Sequence, residues 1–151
     1  MGRQHTKYGD VFEPDGLCHD DYPNIHTADQ DRNQGLVKLQ DPAMRSFHAC
    51  ERRLFVVLHP LKARMKKYKH RVITIHVTGS WRSCALQTQL WRDDPQRFAD
   101  PATTLHPRGL AIDVNTGMRW QRLIRRILLS HGWNQSRPDD EPWHFSYHFT
   151  A

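Results

Sequence analysis

No apolar run in the chain is long enough to cross a bilayer. The longest, Leu54 to Leu58, falls far below the roughly 20 residues a span needs, so membrane insertion is not expected. Cysteine is scarce: Cys18, Cys50 and Cys84 are the only three, with no C-x-x-C pair. That argues against a disulfide framework and a cysteine zinc knuckle, and points to synthesis in a reducing compartment. Met1-Gly2-Arg3-Gln4-His5 leads into polar sequence with no apolar h-region, so no secretory signal is expected. Internal repeats, low-complexity tracts and separating linkers are also missing, and 151 residues suit a single domain.

Charge and aromatic side chains are plentiful. Charged residues make up 25% and aromatic ones 10% of the chain, enough to build a core and too much ordered chemistry for a disordered tail. The net charge of +6 attracts polyanions, whether nucleic acid, anionic lipid or an acidic wall polymer. It is unevenly spread. Residues 1 to 35 carry seven acidic groups against three basic ones, with turn signals at Pro14-Asp15-Gly16 and Asn33-Gln34-Gly35; residues 1–38 are expected to be an irregular acidic segment packed on a domain spanning 39–151. Lys62 to Arg71, by contrast, holds six Lys and Arg and no acid, either a solvated face or a docking surface for an anionic wall polymer.

Asp41-Pro42 resembles a helix start, and Met44, Phe47, Cys50, Leu54 and Leu58 recur at helical spacing, predicting a helix that ends near Leu58 before Pro60. Val72 to Thr78 is a β-branched strand ended by Gly79. Ser83 to Trp91 reads as a short helix, Gly109 to Val114 as a buried strand, Met118 to His131 as an amphipathic helix stopped by Gly132, and Trp143 to Phe149 as the last strand. Helices and strands alternate without a βαβ rhythm, so the expected class is α+β, a small antiparallel sheet with flanking helices.

Eleven histidines raise the question of metal binding, since His is the commonest metal ligand. A hydrolytic zinc needs about three N or O ligands, with the fourth position left for water, and a nearby non-ligand carboxylate to take that water's proton. His106, Asp113 and His144 can supply the three, and Glu141 the carboxylate. Pro107 and Gly109 disfavour a helix between His106 and Asp113, so a loop turning into a strand would bring those two together, and small Gly109 and Ala111 would admit close neighbours. These spacings also arise by accident, with a buried core histidine and a surface aspartate as the alternative. His76 in its apolar strand reads as a packing histidine, His19-Asp20-Asp21 as part of the acidic segment, and Cys84 as a packed thiol.

The surroundings add more. The run from Thr104 to Asp113, T-x-H-x-x-G-x-A-x-D, is followed by Glu141-Pro142-Trp143-His144. Together they resemble the signature motifs of the zinc D-alanyl-D-alanine carboxypeptidases of the vancomycin-resistance type and of the related L-alanyl-D-glutamate endopeptidases of phage endolysins. Gly79 to Gln87 (GSWRSCALQ) resembles the family's S-G-Y-R-S-x-x-x-Q block, with the first two residues reversed, Trp81 for Tyr, and Thr104 for Ser further on. The resemblance implies a hedgehog/D,D-peptidase-like fold with a single zinc held by His106, Asp113 and His144. It makes Glu141 the base and Arg82 the group that meets the oxyanion or a substrate carboxylate, with Gln87, Thr104 and Trp143 contacting substrate. It implies a monomeric peptidoglycan stem-peptide hydrolase, a phage lysis enzyme made in the host cytoplasm and acting on the wall after release. The competing expectation is a non-catalytic zinc-containing wall or protein binding module of the same fold. Specific nucleic-acid binding through the basic run and the Arg-rich helix (Arg119, Arg122, Arg125, Arg126) explains the charge and not the His, Asp and Glu pattern, and no nucleic-acid motif accompanies it.

Overall fold

Asp41 lies in the first turn of helix α1 (Asp41–Arg64), where its carboxylate pairs with Arg45 at 2.9 Å one turn on. Ala43, Met44, Phe47, Cys50, Leu54 and Leu58 form the inner stripe of this helix, all within the core. The computed structural model describes residues 4–6, 9–11, 18, 25–30, 34–64 and 74–148. Across that range α1 runs nearly two turns further than the sequence suggests, through Pro60 to Arg64. Proline removes a single backbone hydrogen bond, and Pro60 sits on the exposed side, where solvent can take the carbonyl it leaves unpaired.

The central sheet has four strands in the order β5 (Val77–Gly79), β6 (Ala111–Val114), β8 (His144–Tyr147), β7 (Trp133–Asn134), all antiparallel. Helix α2 (Cys84–Asp93) follows β5, and α3 (Gln121–Ser130) turns Ile124, Ile127 and Leu128 inward beside α1. Ser46 Oγ ties the two helices to the sheet: it donates to the His131 carbonyl at 2.6 Å and accepts from the Trp133 indole at 3.0 Å. Gly132 takes φ +90°, and a Cβ there would stand 3.1 Å from the Tyr147 ring, so glycine both ends α3 and admits β8. This is the α+β class expected, with a small antiparallel sheet between helices.

Three expectations need correction. The acidic segment is not irregular throughout: β1 (Gln4–Thr6) pairs with β2 (Gly9–Val11), and β3 (Ile25–Asp29) pairs with β4 (Leu36–Gln40). β4 runs through the boundary expected near residue 38 and sends Val37 and Leu39 into the core. The strand expected over 72–78 is shorter: 74–76 have no ladder partner, and 72 and 73 lie outside the described residues. At the edge strand β5 the Gln30 amide brackets Val77 instead, accepting from its N–H and donating to its carbonyl, each at 2.8 Å. Finally, Cys84 is not a packed free thiol. It forms a disulfide with Cys18, 66 residues away in sequence, and Cys50 alone remains free and buried. Three cysteines without a local pair thus conceal one long-range bridge. His19-Asp20-Asp21 and most of the Lys62 to Arg71 run lie outside the described residues.

Candidate metal centre

The sheet register puts the site together. Asp113 on β6 stands directly opposite His144 on β8 and opposite Gly79 on β5, so the Asp113 and His144 side chains share a face. His106 opens a 3-10 turn (His106–Arg108) that ends at Gly109 in the left-handed region, φ +69°. Only there can the chain turn sharply into β6: a Cβ on Gly109 would lie 2.5 Å from Ile25 and 3.0 Å from the Gln40 nitrogen. The donor atoms of His106, Asp113 and His144 consequently fall within 4.8 Å of one another.

The hydrogen bonds around these donors decide which ring nitrogens face inward. His106 Nδ1 lies 2.6 Å from the Ser80 carbonyl, which can only accept, so Nδ1 carries the proton. Burial, only partly offset by Asp113, pushes the His106 pKa below its ordinary value and favours the neutral ring. Its Nε2 then presents a lone pair to Asp113 Oδ1 at 3.2 Å. Two acceptors facing each other in a buried place repel unless a cation lies between them. His144 points Nδ1 at the same oxygen from 3.1 Å and has Nε2 against the Ser146 hydroxyl at 3.1 Å. Two imidazoles and one carboxylate, each oriented from behind by a second hydrogen bond, fit zinc.

Asp113 divides its oxygens. Oδ1 faces the two histidines, and Oδ2 accepts from Arg82 Nη2 at 2.7 Å. Arg82 Nη1 donates to Gln87 Oε1 at 3.2 Å, and Gln87, itself buried, donates to the Ala99 carbonyl at 2.9 Å. The matched arginine and glutamine of the third motif thus form one chain into the donor cluster, with Gln87 behind Arg82. Gly79 makes this possible, since a Cβ there would come within 2.8 Å of Arg82 Nη2 and 3.2 Å of Asp113 Oδ2. Ser80 accepts from the Lys38 N–H through its hydroxyl and from His106 through its carbonyl. The reversed Gly-Ser order therefore has a structural reason. The Trp81 indole donates to the Pro107 carbonyl at 3.0 Å, joining the Arg82 loop to the His106 turn.

A cavity of about 530 Å³ opens over the cluster, lined by Arg82, Gln87, Thr104, Glu141 and Trp143 among others. Thr104 Oγ1 accepts from the His106 N–H at 3.4 Å. Glu141 stands outside the three-donor cluster, its side chain 14% exposed and one oxygen 3.9 Å from Arg137. Its carbonyl accepts from the His144 N–H at 3.0 Å, so the turn that carries Glu141 also delivers His144 to β8. Phe145 is in the core, and His76 bonds Asn115 at 3.1 Å away from the cluster. Sequence reasoning missed β4, whose backbone holds both motif loops: the Trp81 N–H donates to the Lys38 carbonyl and the Gln40 N–H to the Gly109 carbonyl. The apolar alternation of Leu36 to Gln40 was the available signal.

No family model and no curated protein sequence matches the chain. Among solved structures, VanYB in complex with D-alanine-D-alanine covers 84% of this chain and 79% of its own length at 14% identity, with a TM-score of 0.54. The chain has the fold of VanYB. A vancomycin-resistance D,D-pentapeptidase VanY variant in complex with Zn(II) covers 86% of this chain and 82% of its own at 16% identity, TM-score 0.47. The LdcB LD-carboxypeptidase, solved to explain peptidoglycan recognition, covers 83% and 66% at 16% identity, TM-score 0.46. The motif resemblance is borne out at the level of fold.

Proposed function

We propose that the chain is a zinc peptidase hydrolysing peptidoglycan stem peptides, at a D-Ala-D-Ala or an L-Ala-D-Glu bond. One observation carries the reading: His106, Asp113 and His144 converge on a cavity that also holds a carboxylate, Glu141, outside the donor set. VanYB, of the same fold, was solved with D-alanine-D-alanine. His106 through Nε2, His144 through Nδ1 and Asp113 through Oδ1 would hold the metal, which supplies Lewis acidity and lowers the pKa of water. Glu141 takes the proton of the attacking water and returns it to the leaving amine. Arg82, fixed by Asp113 and Gln87, offers positive charge where the scissile carbonyl oxygen becomes negative. Thr104 and Trp143 line the same cavity and contact the peptide.

The charge of +6 suits an anionic wall, and the Cys18–Cys84 bridge suits action in an oxidising setting. Both support a lysis enzyme that works on the wall after release. Purified peptidoglycan incubated with the protein, with and without chelator, and read by mass spectrometry for new termini tests the function and names the bond. New termini that vanish with chelator are expected. Tight wall binding with no new terminus would put the non-catalytic binding module ahead.

A further inference from the structure

Glu141 is placed by its backbone. Among the described residues its carboxylate accepts no hydrogen bond, with Arg137 standing off at 3.9 Å. Where that carboxylate sits relative to the donor cluster therefore depends on residues 135–143, which join β7 to β8. The closing stretch of this loop is held residue by residue. The Glu141 N–H donates to the Arg137 carbonyl at 2.8 Å, the Glu141 carbonyl accepts from the His144 N–H, and the Trp143 carbonyl accepts from the Val114 N–H at 2.9 Å. Pro142 lies between them and has no N–H, so its carbonyl is the one backbone polar group it offers. That carbonyl accepts from Gln135 Nε2 at 2.8 Å, a bond that crosses the base of the loop from the first residue after β7.

Gln135 is itself aimed. Its Oε1 accepts from Arg125 Nε at 2.6 Å. A guanidinium only donates and a carbonyl only accepts, so the two partners fix which end of the amide faces which. Arg125 stands on α3, anchored by Ile124, Ile127 and Leu128 in the core. Its charge also polarises the amide and strengthens the bond made by the amide nitrogen.

We propose that Gln135, oriented by Arg125, is a positioning residue for Glu141: it ties the Pro142 carbonyl to α3 and so holds the Glu141 carboxylate where proton transfer at the donor cluster requires it. The inference rests on the peptidase reading for the task of Glu141. Neither Gln135 nor Arg125 lines the cavity, so neither touches substrate, and the effect falls on the rate and not on binding.

Gln135→Glu is the discriminating variant. It keeps the size and gives Arg125 a carboxylate, but it removes the donor to Pro142 and sets one acceptor against another. The zinc-loaded protein is assayed on soluble pentapeptide muropeptides, which contain both candidate bonds. There kcat is expected to fall about 10-fold or more, since about 1 Å of misplacement at a reacting group costs up to about 100-fold. KM should stay within about twofold of wild type, with zinc content and Tm held. Arg125→Ala should lose less rate than Gln135→Glu, and Arg125→Lys less still. In the Gln135→Glu background, Arg125→Ala should lower kcat no further, because the two side chains act through one bond. Amide proton exchange read by NMR follows the loop without turnover: Gln135→Glu should speed exchange at Glu141 and His144 and leave Ile124 in α3 unchanged. The proposal is overturned if Gln135→Glu keeps the wild-type kcat, or loses it only together with zinc or Tm. A chain that cleaves nothing yet exchanges faster at Glu141 in Gln135→Glu would sink the peptidase reading and leave the Gln135 tie standing. Cleavage at an unchanged kcat in that variant would do the reverse.

Discussion

Removing the Cys18–Cys84 bond should cost the protein a large share of its stability. The bond closes a loop across 66 residues, and chain-entropy arithmetic for that length gives about 4 kcal/mol at 25 °C. For a chain of this size, 1 kcal/mol moves Tm by about 2–4 °C, so the loss is on the order of 10 °C. Cys18→Ser is the cleaner perturbation, because Cys84 is buried at the first position of α2, next to the Ser83 cap whose hydroxyl accepts from the Leu86 N–H. Differential scanning calorimetry without reductant should place Cys18→Ser about 10 °C below the wild type. Wild type in excess reductant should fall to the same temperature, and reductant should not lower Cys18→Ser further. The site should feel the change as well: Cys84 lies between Arg82 and Gln87, so kcat/KM on a stem peptide should drop in the reduced protein while zinc content holds. A Cys18→Ser protein that melts within about 2 °C of wild type would refute the reasoning, since the bridge would then constrain nothing in the unfolded chain.

The helices and the donor set were legible because their signals are local. Phe47, Cys50, Leu54 and Leu58 repeat at helical spacing, and all four are buried. His106, Asp113 and His144 lie in two short motifs whose turn and strand character follows from Pro107, Gly109 and the aromatic alternation after Trp143. What was not legible depended on distant partners. The β3–β4 hairpin sits within an acidic stretch, and composition masked the alternation in which Val37 and Leu39 point inward and Leu36 stays exposed. The disulfide could have been found by elimination. Cys50 falls on the inner stripe of α1, which leaves Cys18 and Cys84 as the pair able to meet. The Arg82–Asp113 contact was illegible for another reason: nothing in a motif says that a metal-ligand carboxylate shares its second oxygen with the arginine expected to face substrate.

Three further outcomes are expected. Burial, opposed by a Ser46 hydrogen bond and aided by Glu51, pushes the Cys50 thiol up to about 12, so the native unreduced protein should show no thiol reactive at pH 8 and one after unfolding in denaturant; a reactive native thiol would contradict it. Glu141→Gln keeps size and removes the base, so turnover should fall at least about 100-fold with zinc content and Tm nearly unchanged, while Asp113→Asn should lose zinc; equal zinc loss in both, by elemental analysis, would make Glu141 a ligand. The last concerns Gly79, which carries no chemistry of its own. Its backbone does not occupy the left-handed region, so alanine would cause no backbone strain there, and any effect must come from the added methyl group. That methyl would stand 2.8 Å from Arg82 Nη2, closer than a carbon can sit, and 3.2 Å from Asp113 Oδ2, a tight contact. β5 is hydrogen-bonded to β6 opposite Asp113 and cannot withdraw, so the guanidinium must move and the 2.7 Å contact break. Gly79→Ala should therefore behave as an Arg82 lesion: turnover down about 100-fold, stability lowered by the roughly 1–3 kcal/mol that overpacking costs, and zinc still bound through Asp113 Oδ1 and the two histidines. A Gly79→Ala enzyme with wild-type turnover would show that the Arg82–Asp113 contact has no part in the reaction.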